Sequence, residues 1–246
     1  MPTLIDQVIL VTGANGGLGT EFVSQALDHG ARKVYAAARS PREHSDPRVV
    51  ALPLDVTSAA SIAAAVRVAP DLTVLVNNAG VGGGHCLLTE PLAAVRQVYE
   101  TNVFGPIALA QAFASTLAGN GGGAMVNVLS ALSWLATPGA YAGTKAALWS
   151  ATNTLRLELR HQHTHVLGAH LGPADTPLTA DLEVPKSAPA DVVGIIYAAL
   201  REGRYEVLVD DTARRVRLAL SRPLTALYPE LDQPAGPDVA PPAAKG

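Results

Sequence analysis

Tyr141 and Lys145 lie four residues apart in Tyr141-Ala142-Gly143-Thr144-Lys145, and the stretch continues as a helix through Ala146, Ala147 and Leu148. That spacing sets both side chains on one helical face, a turn apart. An ammonium beside a phenol favours the phenolate, so the Tyr141 pKa is expected to fall below the usual value of about 10. A phenol tuned in this way exchanges a proton with a substrate oxygen near neutral pH. The same spacing also arises where a surface ring merely packs on a lysine stem, so the surrounding elements decide its meaning.

Those elements alternate. Val8–Thr12, Lys33–Ala38, Val49–Pro53, Thr73–Asn77, Ala124–Leu129, His165–Leu171 and Tyr205–Val209 read as strands. Helices are expected at Leu18–His29, Ala59–Val68, Pro91–Tyr99, Val103–Leu117, Ala140–His161 and Pro189–Arg201. Short β-branched runs alternating with Ala/Leu-rich helices predict an α/β fold of βαβ units. We expect a Rossmann-type three-layer αβα sandwich around a doubly wound, mainly parallel seven-stranded sheet. One domain is expected over residues 1–232, with the Pro/Ala/Gly-rich stretch 233–246 a disordered tail. Between the first strand and first helix runs Thr12-Gly13-Ala14-Asn15-Gly16-Gly17-Leu18-Gly19. Glycines there let the backbone turn tightly and approach a pyrophosphate, to which the helix N-terminus presents free N–H groups.

The glycine spacing is T-G-x-x-x-G-x-G, and with it the chain resembles the short-chain dehydrogenase/reductase family over residues 6–210. Further motifs follow in the family's order: Asp55-Val56-Thr57, Asn77-Asn78-Ala79-Gly80, Asn102, Ser130, and the Tyr141/Lys145 pair. The resemblance implies a catalytic set of Asn102, Ser130, Tyr141 and Lys145. In it Tyr141 exchanges the proton, Lys145 tunes it, Ser130 holds the substrate oxygen, and Asn102 holds a water that links Lys145 to solvent. It implies a dinucleotide on Gly13, Asn15, Gly17, Leu18, Gly19, Asp55, Val56, Asn78, Ala79, Gly80, Tyr141, Lys145, Gly172 and Thr176. Asp55 reads either as the residue that bonds the adenine ring or as a helix cap.

NAD-preferring members usually end the second strand in an Asp; here Ala38 stands in that place and Arg39 follows. A guanidinium suits a 2′-phosphate, so NADP(H) is the expected cofactor, although a solvated surface arginine is the plainer reading. Two departures from the family pattern stand out. The Ala131–Ala140 connection is shorter than usual, and Leu171 and Ala174 replace the proline and valine of P-G-x-V-x-T. The expected substrate pocket comprises His85, Leu87, Trp134, Leu135 and Leu178, each equally readable as a core or interface side chain.

Composition narrows the partners. A formal net charge of −3 gives no electrostatic case for nucleic acid or an anionic membrane. No uninterrupted apolar run is long enough to span a bilayer, no signal peptide is visible, and the lone Cys86 allows no intramolecular disulfide. A cytoplasmic protein is expected. His161, His163 and His165 straddle a helix end and cannot share one helical face, so no metal is expected. The resemblance thus implies an NADP(H)-dependent carbonyl reductase or alcohol dehydrogenase acting on a small-to-medium apolar ketone, as a homodimer or homotetramer. The alternatives are a 3-oxoacyl thioester or polyketide ketoreductase, and a non-catalytic NADP(H)-binding regulator.

Overall fold

Seven strands set the frame in the computed structural model, which describes residues 3–84 and 86–233. They are β1 (Val8–Thr12), β2 (Lys33–Ala38), β3 (Val49–Pro53), β4 (Val74–Asn77), β5 (Ala124–Val128), β6 (His165–His170) and β7 (Glu206–Leu208). They pair in the order β3-β2-β1-β4-β5-β6-β7, and every pairing is parallel rather than mainly so. The order reverses between β1 and β4, and a crevice opens there at the carboxyl ends of the strands.

The strands are apolar on both faces because helices cover both. Ile9, Val11, Val34 and Ala36 point into one core with α1 (Leu18–Asp28) and α6 (Pro189–Arg201). Val8, Leu10, Tyr35 and Ala37 alternate into the other, with α2 (Ala59–Val68) and α4 (Gly105–Gly119). Period-two alternation therefore feeds two cores, as a parallel sheet buried on both sides requires. Tyr197 of α6 shows the close packing. It is fully buried, meets the Phe22 ring edge-on at 5.4 Å, and donates its hydroxyl to the Phe22 carbonyl at 2.8 Å.

The expected break at Asn102 takes another form. Helix α3 (Leu92–Tyr99) runs into α4 through a π-helical turn, Glu100–Phe104, so the chain stays helical across it. A π turn inserts one extra residue and re-aims the side chains beyond it. Helix α5 (Tyr141–Glu158) then carries the Tyr/Lys pair, and its buried stripe includes Lys145, Leu148 and Thr152. A short helix α7 (Asp211–Ala219), which the alternation pattern alone did not delimit, follows β7. The stretch 234–246 lies outside the described residues. Among the described residues no helix is long and apolar enough to cross a membrane.

A buried polar column ties α5 to the sheet. Asn77 and Asn127 are register partners on β4 and β5. Asn77 Nδ2 donates to Asn127 Oδ1 at 2.8 Å, Asn127 Nδ2 to Thr152 Oγ1 at 2.8 Å, and Thr152 Oγ1 to the Leu148 carbonyl at 2.7 Å. Thr152→Val keeps the shape but leaves the Asn127 donor unpaired, and is expected to cost about 1–3 kcal/mol. A urea melt of parent and variant checks this; an unchanged midpoint would contradict the column's role.

Candidate functional site

The loop after β1 is shaped for close approach. Gly13 and Gly17 hold φ of 66° and 53°, left-handed values that side chains resist. A Cβ on Gly19 would stand 2.1 Å from the Gly13 carbonyl oxygen, so only hydrogen fits beneath the turn. Thr12 Oγ1 accepts the backbone N–H groups of Asn78 and Ala79, each at 3.0 Å, and Asn78 Nδ2 donates to the Thr12 carbonyl at 2.8 Å. This clamp holds the Asn-Asn-Ala-Gly turn against the glycine loop. The sequence reading passed over Thr12, whose signal is the threonine opening T-G-x-x-x-G-x-G.

Two confluent clefts lie along the strand ends, with Gly13, Ala79 and Gly80 lining both. One half is bordered by Asn15, Arg39, Asp55 and Val56. The other is bordered by Gly17, Leu18, Asn78, Ser130, Tyr141, Lys145, Gly172, Thr176 and Leu178. The glycine cradle, the start of α1 on the cleft wall at Leu18 and the two joined clefts fit a dinucleotide. Arg39 is exposed at the rim of the first half. Asn15 instead braces the loop after β2, donating to the Ser40 carbonyl at 2.7 Å and accepting the Arg42 N–H at 3.2 Å.

Asp55 is not the cap of α2; Ser58 is. Its Oδ1 accepts the Thr57 N–H at 2.9 Å and the Thr57 hydroxyl at 2.7 Å. Those bonds, with a smaller pull from Arg39, hold its pKa below the usual carboxylate range. Gly172 is held by Asp210, whose Oδ2 accepts its N–H at 2.6 Å while Oδ1 caps α7. Asp210 was also missed, although Asp-Asp-Thr-Ala is an N-cap signature.

Lys145 is buried on the inner stripe of α5, and its Nζ donates to the Val128 carbonyl at the end of β5, 2.8 Å away. Nζ stands 5.5 Å from the Tyr141 ring centroid. Burial pushes the Lys145 pKa down to about 8 and the Tyr141 phenol up to about 12. The expected fall of the Tyr141 pKa is therefore overturned for the protein without cofactor. Desolvation outweighs the ammonium, whose hydrogen bond goes to Val128 rather than to the phenol oxygen. Helix α3 approaches α5 at Gly143, where a Cβ would meet the Tyr99 hydroxyl at 2.6 Å.

Ser130 Oγ donates to the Leu171 carbonyl at 3.3 Å and accepts the Leu132 N–H at 3.1 Å. Asn102 is buried behind the cleft. Its Oδ1 accepts the Val81 N–H at 2.9 Å, and its Nδ2 donates to the Val81 carbonyl at 2.9 Å and to Thr144 Oγ1 at 3.1 Å. Thr144 Oγ1 in turn donates to the Tyr141 carbonyl at 2.6 Å. One Asn102 amide proton is thus spent on the Val81 carbonyl and the other on Thr144, at the start of α5.

The expected substrate pocket is largely corrected. Leu178 lines the cleft. Trp134 does not; it is buried against Trp149, Ala213 and Val216, and Leu135 packs on the same cluster. The shortened connection turns both inward because its first residues form a 3₁₀ turn, Ala131–Ser133, against α7. Leu87 is exposed and is not part of the cleft wall. His85 lies outside the described residues. The segment after Gly172 is anchored at both ends, where Asp175 and Ser187 exchange backbone bonds with Ser187 and Pro173, each of 2.9 Å. His161 and His165 spend ring nitrogens on separate carbonyls, those of Glu158 and Arg204.

The sequence profile of the short chain dehydrogenase family matches residues 7–186. A short chain dehydrogenase from Burkholderia cenocepacia J2315, solved in complex with NADP, is similar at a TM-score of 0.87 and 34% identity, over 93% of this chain and 99% of that one. Ketoacyl reductase HetN of Nostoc sp. is 27% identical over 85% of this chain and 80% of its own length. A Burkholderia phymatum short chain dehydrogenase/reductase solved with NAD shares the fold, with a TM-score of 0.80 at 21% identity over 98% of this chain and 100% of that one.

Burying Lys145 has a thermodynamic consequence. Its folded pKa of about 8 lies below the ordinary 10.5, so the unfolded chain binds more protons between those values. Stability rises with pH across that window, and the penalty is fullest below pH 8. Lys145→Met is expected to stabilise the cofactor-free protein at pH 7, by up to about 3 kcal/mol, with the gain shrinking toward pH 10.5. Calorimetric Tm values at pH 7 and pH 10 check it; a destabilised variant at pH 7 would refute it.

Proposed function

The chain belongs to the short-chain dehydrogenase family, and on that premise we propose that it is an NADP(H)-dependent carbonyl reductase/alcohol dehydrogenase for small-to-medium apolar ketones and secondary alcohols. The observation that carries the reading is that Ser130, Tyr141 and Lys145 line one cleft with Gly17 and the start of α1. The nicotinamide supplies or accepts the hydride. Gly13, Gly17 and Leu18 would hold the pyrophosphate at the helix N-terminus, Arg39 the 2′-phosphate, and Gly172, Thr176 and Lys145 the nicotinamide end.

The side chains then divide the proton work. Tyr141, with its phenol held up near 12, is protonated at neutral pH and suited to donate to a carbonyl oxygen. Ser130 turns its O–H from the Leu171 carbonyl toward that oxygen and stabilises its developing charge. Lys145, near 8, keeps a proton in reserve beside the phenol. Asn102 acts as a positioning residue through Thr144 and the Tyr141 backbone. Leu178 gives the cleft mouth an apolar wall, while Asp181 and Glu183 outnumber Lys186 on the neighbouring segment. That acidic excess repels a phosphate-bearing carrier arm, which favours a free ketone over a carrier-bound thioester.

NADPH oxidation against a panel of apolar ketones tests the reading. Tyr141→Phe is expected to lower kcat by about 10²–10⁴-fold; a fully active variant would sink the proposed acid. Arg39→Asp removes the charge-assisted grip on the 2′-phosphate and is expected to raise the KM for NADPH about 10-fold or more while sparing NADH. An unchanged NADPH/NADH preference would refute the cofactor assignment. Turnover of β-ketoacyl thioesters with none of free ketones would instead select the thioester reductase.

A further inference from the structure

Beside Ser130, outside the cleft wall, sits a polar group that this chemistry leaves unused. His170, the last residue of β6, is wholly buried. Its Nδ1 is 3.1 Å from the Ser130 backbone carbonyl oxygen. Its Nε2 is 3.2 Å from Oε1 of Glu206 on β7, though off the line of a good hydrogen bond. Both ring nitrogens face acceptor oxygens. Trp134 stacks on the ring at 3.9 Å and 17°. Trp149 Nε1 donates to Glu206 Oε1 at 3.2 Å, and Arg217 stands 3.7 Å from Oε2. The carboxylate is correspondingly held below its usual range, chiefly by His170.

We infer that His170 and Glu206 form a positioning pair that fixes Ser130 through its backbone carbonyl and thereby sets the direction of its hydroxyl toward the substrate. The inference rests on the role proposed for Ser130. To reach a substrate oxygen, the Ser130 O–H must leave the Leu171 carbonyl while its peptide stays in place. The next peptide donates its Ala131 N–H to the Leu171 carbonyl at 2.8 Å, and its carbonyl accepts the Ser133 N–H at 3.0 Å within the 3₁₀ turn. The Ser133 bond moves with the turn; the His170 bond is what ties that carbonyl to β6. Without it the Ser130 carbonyl keeps only its bond within the turn, and the peptide is freer to rotate with the turn.

Three variants test the pair. His170→Phe keeps a ring on Trp134 and drops both donors, His170→Asn restores a donor at the Nδ1 position, and Glu206→Gln removes the charge. His170→Phe is expected to lose on the order of 10-fold or more in kcat, with the NADPH Kd by fluorescence unchanged. His170→Asn is expected to recover most of the loss, and Glu206→Gln to fall between. A crystal structure of His170→Phe with NADP+ is expected to show Ser130 Oγ displaced from Leu171 and Leu132. Parent-like kcat in His170→Phe, an Asn variant no better than Phe, or an unmoved Ser130 would each overturn the pair. Should His170→Phe not fold, Glu206→Gln decides, and parent-like kcat there overturns it. A parent inactive on every ketone would refute the proposed reaction, while the crystal structure would still decide the pair.

Discussion

The site turns on a charge largely withdrawn from water. Lys145 faces the end of β5 from the inner stripe of α5, its ammonium satisfied by the Val128 carbonyl. A buried ammonium is tolerated only while its partner stays within reach, so α5 has little freedom to slide or roll. The Asn77–Asn127–Thr152 column fixes the same helix two turns further on. The π turn does so at its start, through Asn102 and Thr144. Three independent polar attachments thus set one helix, and Tyr141 inherits its position from them.

Such attachments oppose stability as often as they add to it. A methylene chain of the same length would suit the interior at Lys145 better, and the half-buried phenol beside it loses more by desolvation than the ammonium returns to its anion. Strain and unpaired polarity of this kind gather at functional sites. The glycine cradle is the other half of the site. Its φ values of 66° and 53° are held by glycines, which adopt them without the strain a side chain would meet.

Much of this was legible in the chain. Strand and helix positions follow from β-branched runs and Ala/Leu periodicity, because a parallel sheet covered on both faces leaves little local ambiguity. That Gly13, Gly17, Asn78, Ser130 and Lys145 come together on one cleft was legible because their spacing is imposed by backbone geometry at strand ends. Trp134 and Leu135 were misplaced for the complementary reason. A loop's side chains go where later elements leave room, and α7 and β7, some 70 residues on, offered them a pocket against His170 and Trp149. Nothing local to Ala131–Ala140 encodes that choice. Asp55 was left open between two readings, and the structure settles only that Ser58, a residue nearer the helix, took the cap.

The direction of the Tyr141 pKa shows where spacing alone fails. A four-residue interval places two side chains on one face, and Coulomb attraction then argues for a lowered phenol pKa. That argument holds the dielectric constant fixed. When the helix turns the same face into the protein, both groups lose water, and each shifts toward its neutral form: Lys145 down, Tyr141 up. The sign of the effect depends on burial, which is a property of the whole fold and not of the motif. The pair is therefore better described as an acid with its proton secured than as a standing phenolate. A positive charge placed near the phenol is what would shift the balance back.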